Sequence, residues 1–260
     1  LLETVYNNFR NLIIGKLYTS ADLAFYNQGD KFPKVIVTNI NTSIDSVLLP
    51  TMSNAQEDRK RVKQMTRRAI KTSTYVMAPL MMGLAFCAEP IVNLLLTEKW
   101  LSCVPYLRIF CFTYMFWPIH TANLNAIKAM GRSDLFLRLE IIKKAIGLVL
   151  LLVTMRISVM VMAYSLIISG ILCQIINSWP NRKLLNYNYI EQLRDIFPSI
   201  IIATVMGACV YFIGFLPVPT IVTLLIQVIA GAVIYIRATA LLKLEEFEYL
   251  SGMIKSFLKR

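Results

Sequence analysis

Apolar residues fall in long runs along this chain, and each run has the length that a bilayer crossing requires. Phe197–Leu216 holds no charge, Thr220–Ile236 is ended by Arg237, and Ala145–Ile176 contains a single charge, Arg156. About 18 to 20 apolar residues in a helix cross the hydrocarbon core. The pattern predicts eight spans at roughly 2–18, 33–51, 73–95, 104–126, 136–155, 158–178, 197–216 and 219–238. Pro50, Pro79, Pro90 and Pro118 interrupt spans two, three and four. Membrane helices tolerate proline where neighbouring helices re-satisfy the freed carbonyls. Beyond the last span, Leu244, Phe247, Leu250, Ile254, Phe257 and Leu258 recur at helical spacing. This amphipathic tail reads either as a helix lying in the headgroup region or as one packed on cytoplasmic loops. The fold class is therefore an all-α integral membrane protein of about eight transmembrane helices.

Composition agrees. Apolar residues make up 57% of the chain, charged residues only 16%, and the mean hydropathy is +0.59; soluble domains carry about 25% charged residues. A net charge of +12 raises the question of nucleic acid. Nucleic-acid binders gather their bases on a water-exposed face, whereas these lie between apolar runs, so no nucleic-acid partner is expected. Cys87, Cys103, Cys111, Cys173 and Cys209 are scattered, form no CxxC pair and mostly sit inside apolar runs, which reads as small core residues rather than metal ligands or disulfides. No metal or cofactor is expected. No signal peptide is visible, and the chain opens on Leu1 inside a helical pattern, so an amino-terminal part is expected to be missing.

The basic residues test the layout. Arg59, Lys60, Arg61, Lys63, Arg67, Arg68 and Lys71 lie between spans two and three. Lys128, Arg132, Arg138, Lys143 and Lys144 lie around the junction of spans four and five, and Arg182, Lys183 and Arg194 between spans six and seven. Arg237, Lys243, Lys255, Lys259 and Arg260 follow span eight. With eight spans all of these fall on one side, twenty of the 27 basic residues. Lys16, Lys31, Lys34, Lys99, Arg108 and Arg156 fall on the other. The positive-inside rule makes the richer side cytoplasmic and puts both chain ends there.

Ionisable groups inside spans face a bundle interior or a wet cavity. In span two, Lys31, Lys34, Thr38, Asn41 and Asp45 share one helical face. That stripe reads as a lumen lining, or as two interfacial lysines with a locally paired Asp45. Asp45 is the candidate coupling-ion site. Span one has a similar face of Glu3, Asn7, Arg10 and Asn11. Arg10 reads equally as a salt-bridge partner of Glu3 or Asp45 and as a positive site for an anion. In span four Tyr114, Thr121, Asn125 and Lys128 align, and Pro118 stands near His120, which reads as a hydrogen-bonded interior residue or a proton carrier. Glu89 precedes Pro90 and marks either a functional break or the interface. Gln174 and Asn177 read as interhelical hydrogen-bond partners. No phosphate-binding glycine loop, HExxH or Ser-His-Asp set stands out, and the longest external loop is expected at roughly Tyr18–Gly29, short for a membrane-embedded polysaccharide enzyme.

The stretch LYTSADLAFYNQGDKFPKVIVTNINTSIDSVLLPTMSNAQEDRKRVKQMTRRAIK and the stretch LRIFCFTYMFWPIHTANLNAIKAMGRSDLFLRLEIIKK resemble segments of Wzx-type polysaccharide and lipopolysaccharide flippases, O-antigen and colanic-acid-like, of the multidrug/oligosaccharidyl-lipid/polysaccharide exporter superfamily. The resemblance runs through essentially the whole chain, and YNQGDKFP and NAIKAMGRSDLFLRLEIIKK carry it most specifically. Family members have two six-helix lobes around a central cavity. The resemblance implies that residues 1–180 form a second lobe, that 181–260 add two helices and the tail, and that the first lobe is absent here, leaving it or another chain as a partner. It implies translocation of an undecaprenyl-diphosphate-linked oligosaccharide, a non-enzymatic function, and carries over Gln28 and Lys31 as cavity residues. With them stand Arg10, Lys34, Asn41 and Asn125 as cavity candidates. Three other readings stay open: a drug or cation exporter of the same superfamily, which would favour an acidic cavity; a membrane-embedded enzyme of polysaccharide assembly; and an inactive remnant.

Overall fold

The computed structural model describes residues 2–258, with side chains described for residues 8–253, 255 and 256. The order is α1 (Leu2–Leu17), α2 (Ser20–Ser53), α3 (Arg59–Phe86), α4 (Ala88–Leu96), a 3-10 turn (Glu98–Cys103), α5 (Val104–Met115), α6 (Trp117–Ala129), α7 (Ser133–Thr154), α8 (Val159–Leu184), α9 (Tyr189–Ile213), α10 (Thr220–Leu241) and α11 (Glu245–Leu258). Every predicted span falls on a helix or a helix pair. Among the described residues α8, α9 and α10 are long and apolar enough to cross a membrane by composition alone, and α3 with α4 forms a fourth, bent candidate.

Two of the four prolines break their spans and two do not. Pro90 and Pro118 lack the N–H that would bond the carbonyl four residues back, and the helices part just before them, at Cys87 and Phe116. The α3–α4 bend is 69°. Arg108 clamps it: Nε donates to Ala85 O at 3.2 Å and Nη2 to Glu89 at 2.9 Å. Glu89 thus belongs to the break. Pro50 and Pro79 sit inside continuous helices.

The expected loop at Tyr18–Gly29 is corrected. The turn is only two residues long, because Thr19 and Asp22 form a capping box that starts α2 at Ser20. The Thr19 hydroxyl accepts from Asp22 N at 3.1 Å, and the Asp22 carboxylate accepts from Thr19 N at 3.2 Å. Such reciprocal bonds satisfy orphan donors at a helix start.

Three apolar clusters hold the bundle. The largest joins α3, α5, α9 and α10 around Met77, Met81, Leu107, Cys111 and Met206. A second gathers Met52, Val62, Ile70, Ile119 and Ile196 at one end. A third packs α1, α2, α5 and α8 around Ile14, Tyr26, Phe110 and Met162. Gly29 allows α2 to press on α5, for a Cβ there would stand 2.7 Å from Tyr106 Cβ and 2.9 Å from the Leu107 backbone nitrogen. The helices α9 and α10 pack against α3 and each other. Tyr235 donates to Tyr75 O at 2.9 Å, and Tyr75 Oη lies 3.0 Å from Thr239 Oγ1.

The tail helix docks on the bundle. Leu244, Phe247 and Leu250 join the largest cluster, and Lys71 on α3 holds Glu245 at 2.6 Å and Glu246 at 2.9 Å. Ile254, Phe257 and Leu258 lie outside the described side chains, and Lys259 and Arg260 outside the described residues. The basic grouping also needs correction. Lys143 and Lys144, counted above with a cytoplasmic junction, stand about 15 Å along α7 from Ser133, at 1.5 Å per residue. Lys143 is paired there with Glu140, and both side chains are largely covered.

Candidate functional site

The helix α2 has two opposed faces. Tyr26, Gly29, Pro33, Val37 and Asn41 are buried against neighbouring helices. The other side is uncovered and polar: Asn27, Lys31, Lys34, Thr38, Asn39, Thr42, Ser43, Asp45 and Ser46 are all exposed. From Lys31 to Ser46 this face runs about 22 Å along the axis, most of a hydrocarbon thickness of about 30 Å.

The predicted residues divide between this face and the interior. Lys31 is exposed and makes no ion pair among the described residues. Lys34 is exposed and pairs with Asp30 at 3.3 Å. Gln28 is half-buried beside them. Asp45 is exposed and accepts from Asn125 Nδ2 at 2.6 Å; Asn125 itself is buried on α6. Asn41, named with the stripe, lies on its covered edge and accepts from Thr121 at 3.2 Å. Asp45 and Asn41 therefore both engage the α6 face that Thr121 and Asn125 form. Arg10 is apart from this group: it is 4% exposed and donates from Nη1 to Met162 O at 3.2 Å. Its anchor is a carbonyl of α8, not Asp45. Glu3 and Asn7 lie outside the described side chains.

Sequence reasoning passed over Asp30. It bridges two groups, accepting from Lys34 and, at 2.5 Å, from Tyr114 Oη. The signal was present, since Asp30 stands one helical turn before Lys34, the spacing at which such pairs meet. Also passed over were Asn39, Thr42, Ser43 and Ser46, which widen the polar face. The Thr42 hydroxyl donates to Thr38 O at 2.8 Å, Ser43 to Asn39 O at 2.9 Å and Ser46 to Ser43 O at 3.0 Å.

A second polar group is closed to solvent. Asn123, Asn181 and Gln192 are fully buried where α6, α8 and α9 meet. Asn123 Nδ2 donates to Gln192 Oε1 at 2.7 Å, Gln192 Nε2 to Asn123 Oδ1 at 3.0 Å and Asn181 Nδ2 to Asn123 Oδ1 at 2.6 Å. Beside it Asn177 Nδ2 lies 2.9 Å from His120 Nδ1, and Tyr189 donates to Gln174 at 3.2 Å. Gln174 and Asn177 are thus interhelical partners, and His120 is one end of such a bond. Where α3 and α9 meet beyond the bundle, Arg67 grips Asp195 with two bonds of 2.8 and 2.7 Å. Tyr187 donates to the same carboxylate at 2.8 Å. Burial and Asp195 together push the Tyr187 phenol up from its ordinary range. Among the described residues no cluster of His, Cys, Asp and Glu is arranged to hold a metal ion.

The arrangement offers a long uncovered polar face with cations near one part, neutral oxygens along the middle and a hydrogen-bonded carboxylate near the other. Comparison with known proteins points to one group. The family model described as polysaccharide biosynthesis protein matches residues 1–105. Teichuronic acid biosynthesis protein TuaB of Bacillus subtilis is 21% identical over 88% of this chain and 48% of its own length. Lipopolysaccharide biosynthesis protein WzxC of Escherichia coli is 20% identical over 55% of this chain and 29% of its own. This chain spans about half the length of such relatives or less. In fold it is similar to lipid II flippase MurJ in its inward closed conformation, with a TM-score of 0.69, 17% identity, and 92% of this chain matched to 48% of that one. The chain is a multi-pass membrane protein that resembles the polysaccharide flippases of the multidrug/oligosaccharidyl-lipid/polysaccharide exporter superfamily.

Proposed function

We propose that this chain supplies one wall of a passage through which an undecaprenyl-diphosphate-linked oligosaccharide is flipped across the bacterial inner membrane. The observation that carries this reading is the polar face of α2. It stays uncovered for about 22 Å, whereas the exposed positions of α9 and α10 are largely apolar. Lipid offers such groups no hydrogen bonds, and an unpaired polar group costs about 2–7 kcal/mol to place there. A second lobe or another chain closing over α2 would keep the face wet.

On this reading the eight spans all cross the membrane, and both ends face the cytoplasm. Residues 1–180 act as one lobe, with 181–260 as added helices. The polar helices fail an apolar-composition test because they line water. Lys31, Lys34 and Gln28 attract the diphosphate. A unit charge pair at about 4 Å gains about 4 kcal/mol at an effective dielectric of about 20, enough to hold and weak enough to release. Rocking of two lobes alternates access, while the polyprenyl tail stays in the bilayer. Asp45 is the coupling-ion candidate, tethered by Asn125. Arg10, bonded into the interior, acts by fixing α1 on α8. The basic lean of the face speaks against a cation exporter, which would favour carboxylates.

The test is complementation of a flippase-deficient strain with this chain joined to a first lobe. Lys31→Ala with Lys34→Ala is expected to lower surface polysaccharide about tenfold or more at equal protein in the membrane. Lys255→Ala on α11 should leave it unchanged. Equal behaviour of the two variants would remove the assignment of α2 as the passage wall.

A further inference from the structure

The exposed face of α2 is sorted by hydrogen-bonding role. Lys31 and Lys34 offer only protons. Farther along, the polar side chains turn their protons back onto their own helix. Asn39 Nδ2 donates to Val35 O at 2.9 Å, and the hydroxyls of Thr42, Ser43 and Ser46 donate to the carbonyls of Thr38, Asn39 and Ser43. A hydroxyl has one proton and two lone pairs, and an amide oxygen has two lone pairs. With the protons committed inward, the groups facing outward are acceptors. At 3.6 residues per turn these four residues fall within an arc of about 100°, on the side opposite the buried Val37 and Asn41. From Lys34 to Ser46 the distance along the axis is about 18 Å.

We infer that Asn39, Thr42, Ser43 and Ser46 form a saccharide subsite: a strip of neutral acceptors for the hydroxyls of a glycan whose diphosphate rests at Lys31 and Lys34. The inference rests on the reading of α2 as substrate-facing and adds an order to it, diphosphate toward the Ser20 end and sugars toward the Ser53 end. Neutral oxygens suit a polyol. A metal cation would meet two ammonium groups on the same helix and find only carboxylates already engaged, Asp45 by Asn125 and Asp30 by Lys34 and Tyr114. The strip counts donors rather than shapes, so it accepts sugars of differing identity, provided that they carry free hydroxyls.

The experiment measures equilibrium binding of two labelled probes to the chain joined to a first lobe in lipid nanodiscs: undecaprenyl diphosphate, and undecaprenyl diphosphate bearing a hexose disaccharide. In Thr42→Val/Ser43→Ala/Ser46→Ala, affinity for the disaccharide probe is expected to fall about tenfold or more, as the loss of several hydrogen bonds implies. Affinity for the bare diphosphate should stay within twofold. Lys31→Ala/Lys34→Ala should weaken both probes. Asn39→Leu, tested separately, should repeat the selective loss and guards against a folding defect in the triple variant. Selective loss supports the subsite. Equal loss of both probes, or no loss, overturns it. If the wild-type chain binds neither probe, the reading of α2 as a substrate face falls, and the subsite with it.

Discussion

The helices α2 and α10 both lie along the outside of the bundle with one face uncovered, yet the uncovered faces are opposite in chemistry. On α10 the exposed positions include Ile221, Leu225, Val228, Ile229 and Ile236. On α2 they are lysine, threonine, serine, asparagine and aspartate, with Val35 and Val47 the exposed large aliphatics. The two surfaces require different surroundings. Hydrocarbon accepts the first without cost and leaves the charges and outward-facing oxygens of the second unsolvated. The contrast explains why composition alone selects α8, α9 and α10 as spans and passes over α2, although α2 is the longest helix of the chain. A helix bordering water on one side and protein on the other need not be apolar overall.

The sharpest way to break this contrast is to place the same charge on both faces. A lysine at the centre of a membrane helix costs about 2.5–3.5 kcal/mol on insertion scales. Ile229→Lys on α10 should therefore sharply reduce the chain recovered in the membrane fraction, by about tenfold or more. Thr42→Lys on α2 should leave that amount within about twofold. Comparable losses from the two substitutions would mean that α2 meets lipid, and the passage would have to be sought elsewhere.

A smaller effect separates the two sides of α2 itself. Gly29→Ala puts a methyl group against Tyr106 and the backbone of Leu107, which cannot move aside as a flexible side-chain tip can. The helix must shift off α5, and overpacking of this kind costs typically about 1–3 kcal/mol. Thermal unfolding in detergent should show a midpoint several degrees lower. Thr38→Ala, on the uncovered side, should leave the midpoint unchanged. A neutral Gly29→Ala would show that α2 is held loosely on α5.

The sequence made these contrasts legible unevenly. The helices α8, α9 and α10 could be read as candidate spans because about twenty consecutive apolar residues have few other uses. The stripe on α2 could be read because Lys31, Lys34, Thr38 and Asp45 recur at the helical period. The start of α2 departs from the expected loop although Thr19 and Asp22 spell a capping box, because the polar stretch that follows has a loop's composition. The roles of Asn123, Asn181 and Gln192 were beyond local pattern. They are 58 and 69 residues apart in the chain, and nothing near any of them announces the other two. Arg10 shows the same limit: its charge could be read, but its carbonyl partner on α8 belongs to a residue whose side chain gives no hint of the contact. The docking of α11 depends in part on Lys71, far along the chain, which amphipathicity alone does not announce.

The smallest expected effect concerns α11, which docks on the bundle through partly buried apolar residues such as Phe247 and Leu250. Its outer rim is held by Lys71, which donates to Glu245 and contacts Glu246, while the Arg68 guanidinium lies 4.9 Å from the Tyr249 ring centroid. The bond from Lys71, with its charge, holds the Glu245 carboxyl below its ordinary value of 4.5. The sign follows from linkage. A carboxylate with a depressed folded-state pKa contributes fully above the ordinary value, and its contribution fades as the pH falls through the depressed one. Glu245 is 83% exposed, so solvent and salt screen the pair, and the contribution is under about 1 kcal/mol. A spin label at the exposed Ser256 should report restricted motion at neutral pH and a modest gain in mobility below about pH 4, reproduced at neutral pH by 1 M salt, where the screening length falls to about 3 Å. In Glu245→Gln the neutral-pH spectrum should already resemble the acid one, with much of the pH response gone. The apolar contacts of Leu244, Phe247 and Leu250 do not titrate, so the helix should remain docked throughout. If acid releases α11 completely, the charged rim rather than the apolar seam holds it. If neither acid nor Glu245→Gln changes the spectrum, the Lys71 pair contributes nothing and the seam alone carries the packing.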